Sequence, residues 1–131
     1  MALQIKDLIN RNKSAYKHQY YIESVSLSYT LISKVLKQII AEEKISNQAS
    51  RLKLSDCLKL IKPQYDKNPL FTKRLKKSTY KRIAEFNQEH KIIMKELKYQ
   101  YPDLKLRNAS KKGLDTIVLL NTSLIKIKAN R

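Results

Sequence analysis

Glycine and proline are scarce in this chain, and their scarcity limits the possible folds more than any other feature. One glycine and three prolines occur in 131 residues. A β-sandwich or barrel needs a turn roughly every 8–12 residues, and these two residue types supply many of those turns. Apolar residues recur instead at steps of three and four, the spacing of an α-helix. The sequence therefore predicts an all-α, up-and-down bundle of four main helices plus a short extra helix. At this length, residues 1–131 are expected to form a single domain.

Caps and stop signals divide the chain into five predicted helices and a polar loop at Lys44–Lys53. The helices are expected at about 2–12, 14–43, 56–61, 69–101 and 103–128. Their N-terminal signals are Ser14, Ser55 and the pair Asn68-Pro69, and their stop signals are Pro63 and Pro102. The longest continuous basic helix is thus predicted to open at Asn68-Pro69.

Small residues indicate where two helices pack closely. Residues 23–30 alternate serine with apolar residues, which locally resembles a strand, but helical spacing continues on both sides. Gly113 lies on the apolar stripe of the last helix, where glycine is about 1 kcal/mol less favourable than alanine. Either a neighbouring helix passes close to Gly113 or the helix breaks at Lys112–Gly113, and the sequence leaves both alternatives open.

The charge of the chain favours a polyanionic partner. Lys and Arg number 28 against 11 Asp and Glu, a formal net charge of +17. Residues 14–44 are nearly neutral, whereas residues 69–101 carry nine basic and three acidic side chains. Phosphate contacts by such residues release counterions and drive nucleic-acid binding. We predict phosphate contacts by Lys73, Arg74, Lys76, Lys77, Lys81 and Arg82, with base stacking by Tyr80.

Other classes of protein are disfavoured. Cys57 is the sole cysteine, so an internal disulfide cannot form and a reducing compartment is expected. One cysteine and two histidines cannot build a Cys/His metal cluster, and a glycine-rich phosphate loop needs glycines that the chain lacks. No metal or cofactor is therefore expected. The apolar runs are shorter than the roughly 20 residues of a membrane span, and residues 1–13 lack a signal-peptide core. We expect a soluble, cytoplasmic protein with no membrane partner.

The order of elements resembles the HEPN family of helical bundles. The resemblance rests on a tyrosine-containing helix at His18–Ile32, a short helix at Leu58–Ile61, a long helix with Phe86-Asn-Gln-Glu-His90, and a last helix around Ala109–Leu120. It covers most of residues 14–128. Many members of this family are dimeric, metal-independent endoribonucleases of toxin–antitoxin or defence systems, and others bind nucleotides or nucleic acid without cleaving. The resemblance thus implies a homodimer and RNA or nucleotide as ligand, with a nucleotidyltransferase or an antitoxin as the protein partner.

The catalytic motif of that family is incomplete here. It pairs an arginine with a histidine four to six residues later on the long helix, and His90 stands where this histidine belongs. The positions open to the arginine hold Ile83, Ala84 and Glu85. Arg82 lies one residue too early, ~12 Å along the helix from His90 and ~80° around it.

The candidate catalytic residues are therefore His90, Arg82 and Asn87, and nuclease activity is expected to be weak or absent. Asn87 is included because it lies one turn before His90 on the same face. The alternative is that His90 is a partly buried residue paired with a tyrosine or a backbone carbonyl.

Other side chains have structural interpretations. Glu85 and Glu89 are expected to form a solvated ion-pair face with Lys81 and Lys95. Four tyrosines are assigned to core and interface packing, namely Tyr16, Tyr20, Tyr21 and Tyr29. The alternative function is a non-enzymatic interaction subunit, an antitoxin or scaffold, whose basic surface binds an acidic protein.

Overall fold

Seven α-helices and one 3-10 turn make up the described part of the chain. The computed structural model describes the backbone of residues 2–96 and 103–129 and the side chains of residues 6–95 and 105–120. The elements are α1 (Ala2–Lys17), α2 (Tyr21–Glu42), the 3-10 turn (Ala49–Arg51), α3 (Leu54–Ile61), α4 (Gln64–Lys67), α5 (Phe71–Arg74), α6 (Lys77–Glu96) and α7 (Asp103–Ala129). These residues contain no strand, which confirms the predicted all-α class.

The four long helices form the bundle. α2 and α7 make the most extensive contact, α1 packs on both of them, and α6 also contacts both. The short helix α3 packs against α2 and α6. Three short helices, rather than the single one predicted, lie between α2 and α6. None of the helices in the described ranges is long and apolar enough to cross a membrane.

The predicted apolar stripes supply the core. α2 and α6 contribute fully buried side chains such as Val25, Ile32, Ile83 and Phe86. On α7 the stripe is buried at Leu106, Ala109, Ile117 and Leu120. Each large side chain that leaves water in this way contributes about 1.5–3 kcal/mol, so the stripes determine which helix faces point inward. The helical spacing of apolar residues also predicts Leu97, Leu124 and Ile127 on these stripes, and these three lie outside the described side chains.

The boundary between α1 and α2 differs from the prediction. α1 continues through Ser14, which therefore does not cap a helix, and α2 begins at Tyr21. At the turn Gln19 has φ 67°, its N–H donates to Tyr16 O at 3.1 Å, and the Tyr20 N–H donates to Ala15 O at 2.8 Å. This is a Schellman motif, whose left-handed position is usually glycine. Because glutamine occupies it here, the sequence carries no stop signal.

The predicted helix from Asn68-Pro69 to residue 101 is also divided. Asn68 Oδ1 accepts the Leu70 N–H at 3.1 Å, but Asn68 is not the N-cap, because the helix that follows, α5, begins at Phe71 and is only four residues long. Leu75 is extended, with φ −146° and ψ 113°, and α6 starts two residues later. The predicted end of this helix, residues 97–101, lies outside the described residues.

A tyrosine from α4 explains why the break is tolerated. The Tyr65 hydroxyl donates to Leu75 O at 3.0 Å. In an uninterrupted helix that carbonyl would accept the N–H of Thr79. Leu75 and Phe71 are both buried beside it, so the break places two large apolar side chains in the core while the Leu75 carbonyl keeps a hydrogen-bond partner.

The short helix α3 begins earlier than predicted. It starts at Leu54, so Ser55 lies inside the helix rather than at its N-cap. Asp56 Oδ2 accepts the Lys53 N–H at 3.3 Å, a carboxylate in the first turn as the helix dipole favours. Its last residue is Ile61, and Pro63 follows as the predicted stop.

Close packing at Gly113 decides between the two alternatives that the sequence left open. α7 runs through Gly113 without a break. A Cβ at this position would lie 2.7 Å from both Cβ and Oγ of Ser28 and 3.0 Å from the Phe86 ring. Real Cβ atoms do not approach so closely, so α7 can pass this near α2 only with a glycine. The predicted close approach is confirmed, and the predicted break is wrong.

Gly113→Ala is therefore expected to destabilise the protein. Overpacking typically lowers the free energy of unfolding by about 1–3 kcal/mol, and the better helix propensity of alanine offsets about 1 kcal/mol of that loss. The difference is a net loss of about 0–2 kcal/mol in the free energy of unfolding. We expect the upper half of that range in urea denaturation, because the added Cβ would lie 2.7 Å from two atoms of Ser28. The exposed α7 residue Lys111 provides the control, because Lys111→Ala should change stability by less than about 0.5 kcal/mol. If Gly113→Ala is as stable as Lys111→Ala, the close contact with Ser28 does not constrain the bundle.

A buried polar network connects α1, α2 and α7. Asn12 of α1 donates to Ser28 Oγ at 2.8 Å and accepts a hydrogen bond from Ser24. Ser110 of α7 donates to Ser24 Oγ at 2.6 Å. All four side chains are fully buried. Sliding one helix past another would leave these groups unpaired away from water, at about 1–3 kcal/mol each. The network thus fixes the register of α1, α2 and α7.

Candidate nucleic-acid interface

Five of the six predicted phosphate-contacting residues are exposed around the break between α5 and α6. We call them the basic segment: Lys73, Lys76, Lys77, Lys81 and Arg82. Among the side chains that the structure describes, no carboxylate lies within ion-pair distance of these five. Lys77 Nζ lies 5.9 Å from the centre of the Tyr65 ring, at the outer limit of a cation–π contact. The surface is therefore a concentration of positive charge with no direct carboxylate partner among the described side chains.

Arg74 differs from its neighbours in sequence. Its side chain is 7% exposed, and the guanidinium forms an ion pair with Glu42. Its Nε also lies 3.6 Å from Glu43 Oε1. Arg74 thus binds α5 to the C-terminal end of α2 and is not part of the exposed basic surface. A charged run in the sequence does not distinguish an inward arginine from outward ones, because both are equally polar.

Tyr80 is half-buried and takes part in packing between helices. Its hydroxyl donates to Leu58 O at 2.9 Å, and its ring meets the Tyr65 ring edge-on at 5.6 Å between centroids. Burial raises the pKa of the hydroxyl. These contacts connect α6 with α3 and α4, and the predicted base stacking by Tyr80 remains a prediction.

His90 stacks on a tyrosine of α2. Its ring centre lies 4.0 Å from that of Tyr29 with an interplanar angle of 13°, and Phe86 is 6.3 Å away. Burial lowers the pKa of His90, so its neutral form predominates at neutral pH. The structure shows the half-buried, tyrosine-paired placement that was one of the two sequence interpretations. The catalytic role remains a prediction.

The three candidate catalytic residues point to different surroundings. α6 is continuous from Arg82 to His90, so the helical separation of ~12 Å applies. Arg82 is exposed, whereas Asn87 is 6% exposed and donates to Ser55 Oγ of α3 at 3.1 Å. Within one protomer the structure therefore does not gather an arginine, an asparagine and a histidine around a shared space.

Glu85 and Glu89 do form an ion-pair face, but with a different partner from the one predicted. Lys112 Nζ of α7 lies 2.7 Å from Glu89 Oε1 and 3.8 Å from Glu85 Oε2. The sequence assigned these carboxylates to lysines of the same helix, because only intrahelical spacing is visible without the tertiary fold. Across the described residues, no three His, Cys, Asp or Glu side chains are grouped as a metal site.

The α1–α2 corner is a surface that the sequence did not indicate. Tyr20 was assigned to packing but is 63% exposed, whereas Tyr16, Tyr21 and Tyr29 are half-buried. An open cleft of about 370 Å³ lies between this corner and Leu106 of α7. The exposed tyrosine was missed because the turn at Gln19 was not predicted, and a continuous helix would have rotated Tyr20 differently.

Comparisons with protein-family models, with curated proteins and with solved structures find no match to this chain. The resemblance to HEPN proteins accordingly remains a prediction from the sequence pattern.

Proposed function

We propose that this protein binds RNA through the basic segment and has little or no nuclease activity. The observation that carries the proposal is the exposure of five cations without carboxylate partners among the described side chains, in a chain of net charge +17. Exposed lysines and arginines neutralise phosphates and release condensed counterions, which favours association at low salt. A homodimer in a toxin–antitoxin or defence setting belongs to the same proposal and rests on the HEPN resemblance alone.

The interface is expected to read the charge of the backbone rather than a base sequence. Sequence-specific RNA recognition requires stacked bases and hydrogen bonds to base edges. The basic segment offers flexible ammonium groups and one guanidinium, which contact phosphates. Binding through this segment should therefore depend strongly on salt and weakly on sequence.

The test measures RNA binding by the purified parent protein across a range of salt concentrations. Fluorescence anisotropy with labelled duplex and single-stranded RNA gives the slope of log affinity against log salt, about −0.9 per neutralised duplex phosphate and −0.7 per single-strand phosphate. We expect a slope at least as steep as about −3, which corresponds to about three phosphate contacts on duplex RNA or about four on single-stranded RNA. Polyglutamate serves as the competitor. Absence of RNA binding at low salt contradicts the proposal, and tighter binding to polyglutamate than to RNA favours the acidic-protein alternative.

The absence of strong cleavage is a second expectation. RNA cleavage through the 2′-hydroxyl needs a proton-transfer group near neutral pKa and a cation for the developing phosphate charge. His90 has its ring stacked on Tyr29, and no arginine stands at residues 83–85. His90→Ala should lower stability by about 1–2 kcal/mol through loss of ring packing and leave any RNA turnover unchanged.

Incubation of parent and His90→Ala with RNA in EDTA, alongside urea denaturation of both, separates the two effects. Metal-independent cleavage by the parent that disappears in the variant, with stability unchanged, contradicts the expectation. In that case, loss of cleavage in Arg82→Ala would identify Arg82 as the cation that stabilises the developing phosphate charge. The exposed α6 residue Gln88 gives the control, since Gln88→Ala should alter neither quantity.

A further inference from the structure

The corner between α1 and α2 exposes an aromatic pair. Tyr20 is 63% exposed, and its ring lies 6.4 Å from the His18 ring with an interplanar angle of 18°. Both residues lie in or next to the turn at Gln19. Beside them the cleft of about 370 Å³ is lined by Tyr20, Tyr21, Ile22 and Leu106 and by the polar side chains of Gln19 and Glu23. An exposed flat ring next to an open, largely apolar cleft suits another flat ring as ligand.

Local hydrogen bonds fix the backbone at Tyr20 and the imidazole of His18 before any ligand arrives. The Tyr20 N–H is fixed by Ala15 O at 2.8 Å as part of the Schellman motif. The His18 Nδ1–H donates to Ser14 O at 2.8 Å, which orients the imidazole. A preorganised aromatic surface loses little conformational entropy on binding. The exposed Tyr20 ring can therefore bind a ligand with a small entropic penalty.

The surroundings of the corner are cationic. Lys17 is exposed in the last turn of α1, and Arg107 is exposed on α7 next to Leu106. A hydrogen bond to the Tyr16 hydroxyl raises the pKa of the Arg107 guanidinium and places it at this corner. The acidic residue at the cleft is Glu23, and Arg11 neutralises it at 3.2 Å. Negative ligand charge is therefore favoured here as well.

We propose that the α1–α2 corner is a second binding site, which takes an unpaired nucleobase stacked on Tyr20 with its phosphate near Arg107. This inference rests on the proposed RNA binding and adds single-stranded segments as the preferred substrate class. Base stacking on aromatic side chains accompanied by backbone cations is the usual means of binding single strands. A duplex cannot supply an unstacked base, so its binding depends on the basic segment alone.

The experiment compares short oligoadenylate with duplex RNA for the parent, Tyr20→Leu and Leu70→Ala. Leu70 is the matched control, because it is 65% exposed and borders the basic segment but lies outside the corner. We expect Tyr20→Leu to weaken oligoadenylate binding about tenfold, the scale of one lost base–aromatic stack, and to leave duplex affinity within about twofold. Leu70→Ala should leave both affinities within about twofold. Circular dichroism confirms that each variant is folded.

A tryptophan reporter tests the contact directly. The chain contains no tryptophan, so Tyr20→Trp introduces a single emitter that can still stack. Saturation with oligoadenylate should quench its emission, whereas saturation with duplex should not. Unchanged emission under conditions where anisotropy shows bound oligoadenylate overturns the inference.

The outcomes separate this inference from the proposed function. Loss of oligoadenylate affinity in Tyr20→Leu with duplex binding retained supports the corner site. If Tyr20→Leu binds each RNA as tightly as the parent does, the corner site is overturned and the proposed function stands. A parent that binds neither RNA overturns both. A Tyr20→Leu variant altered only in self-association, with both RNA affinities unchanged, overturns the corner site in favour of a protein contact.

Discussion

Replacing Lys76, Lys77, Lys81 and Arg82 with glutamate is expected to weaken RNA binding at least about tenfold at low salt. Each of these residues is exposed, and none has a carboxylate partner among the described side chains. Removal of four phosphate contacts should reduce the slope of log affinity against log salt by about 3 to 4. The added carboxylates also repel phosphates, so the loss of affinity is largest at low ionic strength, where screening is weakest.

The matched control has the same change in net charge at a different place. Lys34, Lys44, Arg51 and Lys59 are also three lysines and one arginine, all exposed and outside the basic segment. Four reversals remove eight charge units, so either quadruple variant falls from +17 to +9. If affinity depends only on net charge, the two variants will bind equally weakly. If RNA binds at the basic segment specifically, the control variant will keep most of the parent's RNA affinity and salt slope.

Arg74→Ala is expected to lower the free energy of unfolding by about 2–3 kcal/mol. Loss of one partner from a buried ion pair typically costs about 3–5 kcal/mol, because the remaining charge is left uncompensated. The cost should be smaller here, since the Glu42 and Glu43 side chains are 27% and 33% exposed and water can partly solvate them. The arginine itself is 7% exposed, so the variant also loses the packing of α5 on α2.

The adjacent Lys73 provides the comparison. It is exposed on the same short helix, so Lys73→Ala should change stability by less than about 0.5 kcal/mol. RNA binding should show the reverse pattern, with Lys73→Ala reducing the salt slope by about 0.7–0.9 and Arg74→Ala leaving it unchanged once the protein is folded. Urea denaturation and anisotropy measure the two properties. Equal stability of both variants would show that the contacts of Arg74 with α2 contribute nothing measurable.

The candidate site was predictable in composition but not in arrangement. The excess of basic residues near the start of the long helix is a property of the sequence, and five of the six predicted residues are exposed. Arg74, Tyr80 and the partner of Glu85 and Glu89 could not be assigned, because each depends on a residue from another helix. Which residues become partners across two helices depends on how the helices pack, and local periodicity does not encode that packing.

The sequence by itself determined the all-α class and the inward faces of the long helices, because apolar spacing selects the buried face. At Gly113 it left two alternatives, and the tertiary structure decided for close packing, since the α7 backbone there passes within reach of Ser28 and Phe86. The tertiary structure decided where two of the predicted helices are divided. At Gln19 a residue other than glycine adopts the left-handed conformation and ends α1. At Leu75 the Tyr65 hydroxyl donates a hydrogen bond to the carbonyl that would otherwise accept one within the helix. Both interruptions depend on free energy gained from packing of distant segments, and that packing exists only when the whole bundle has formed.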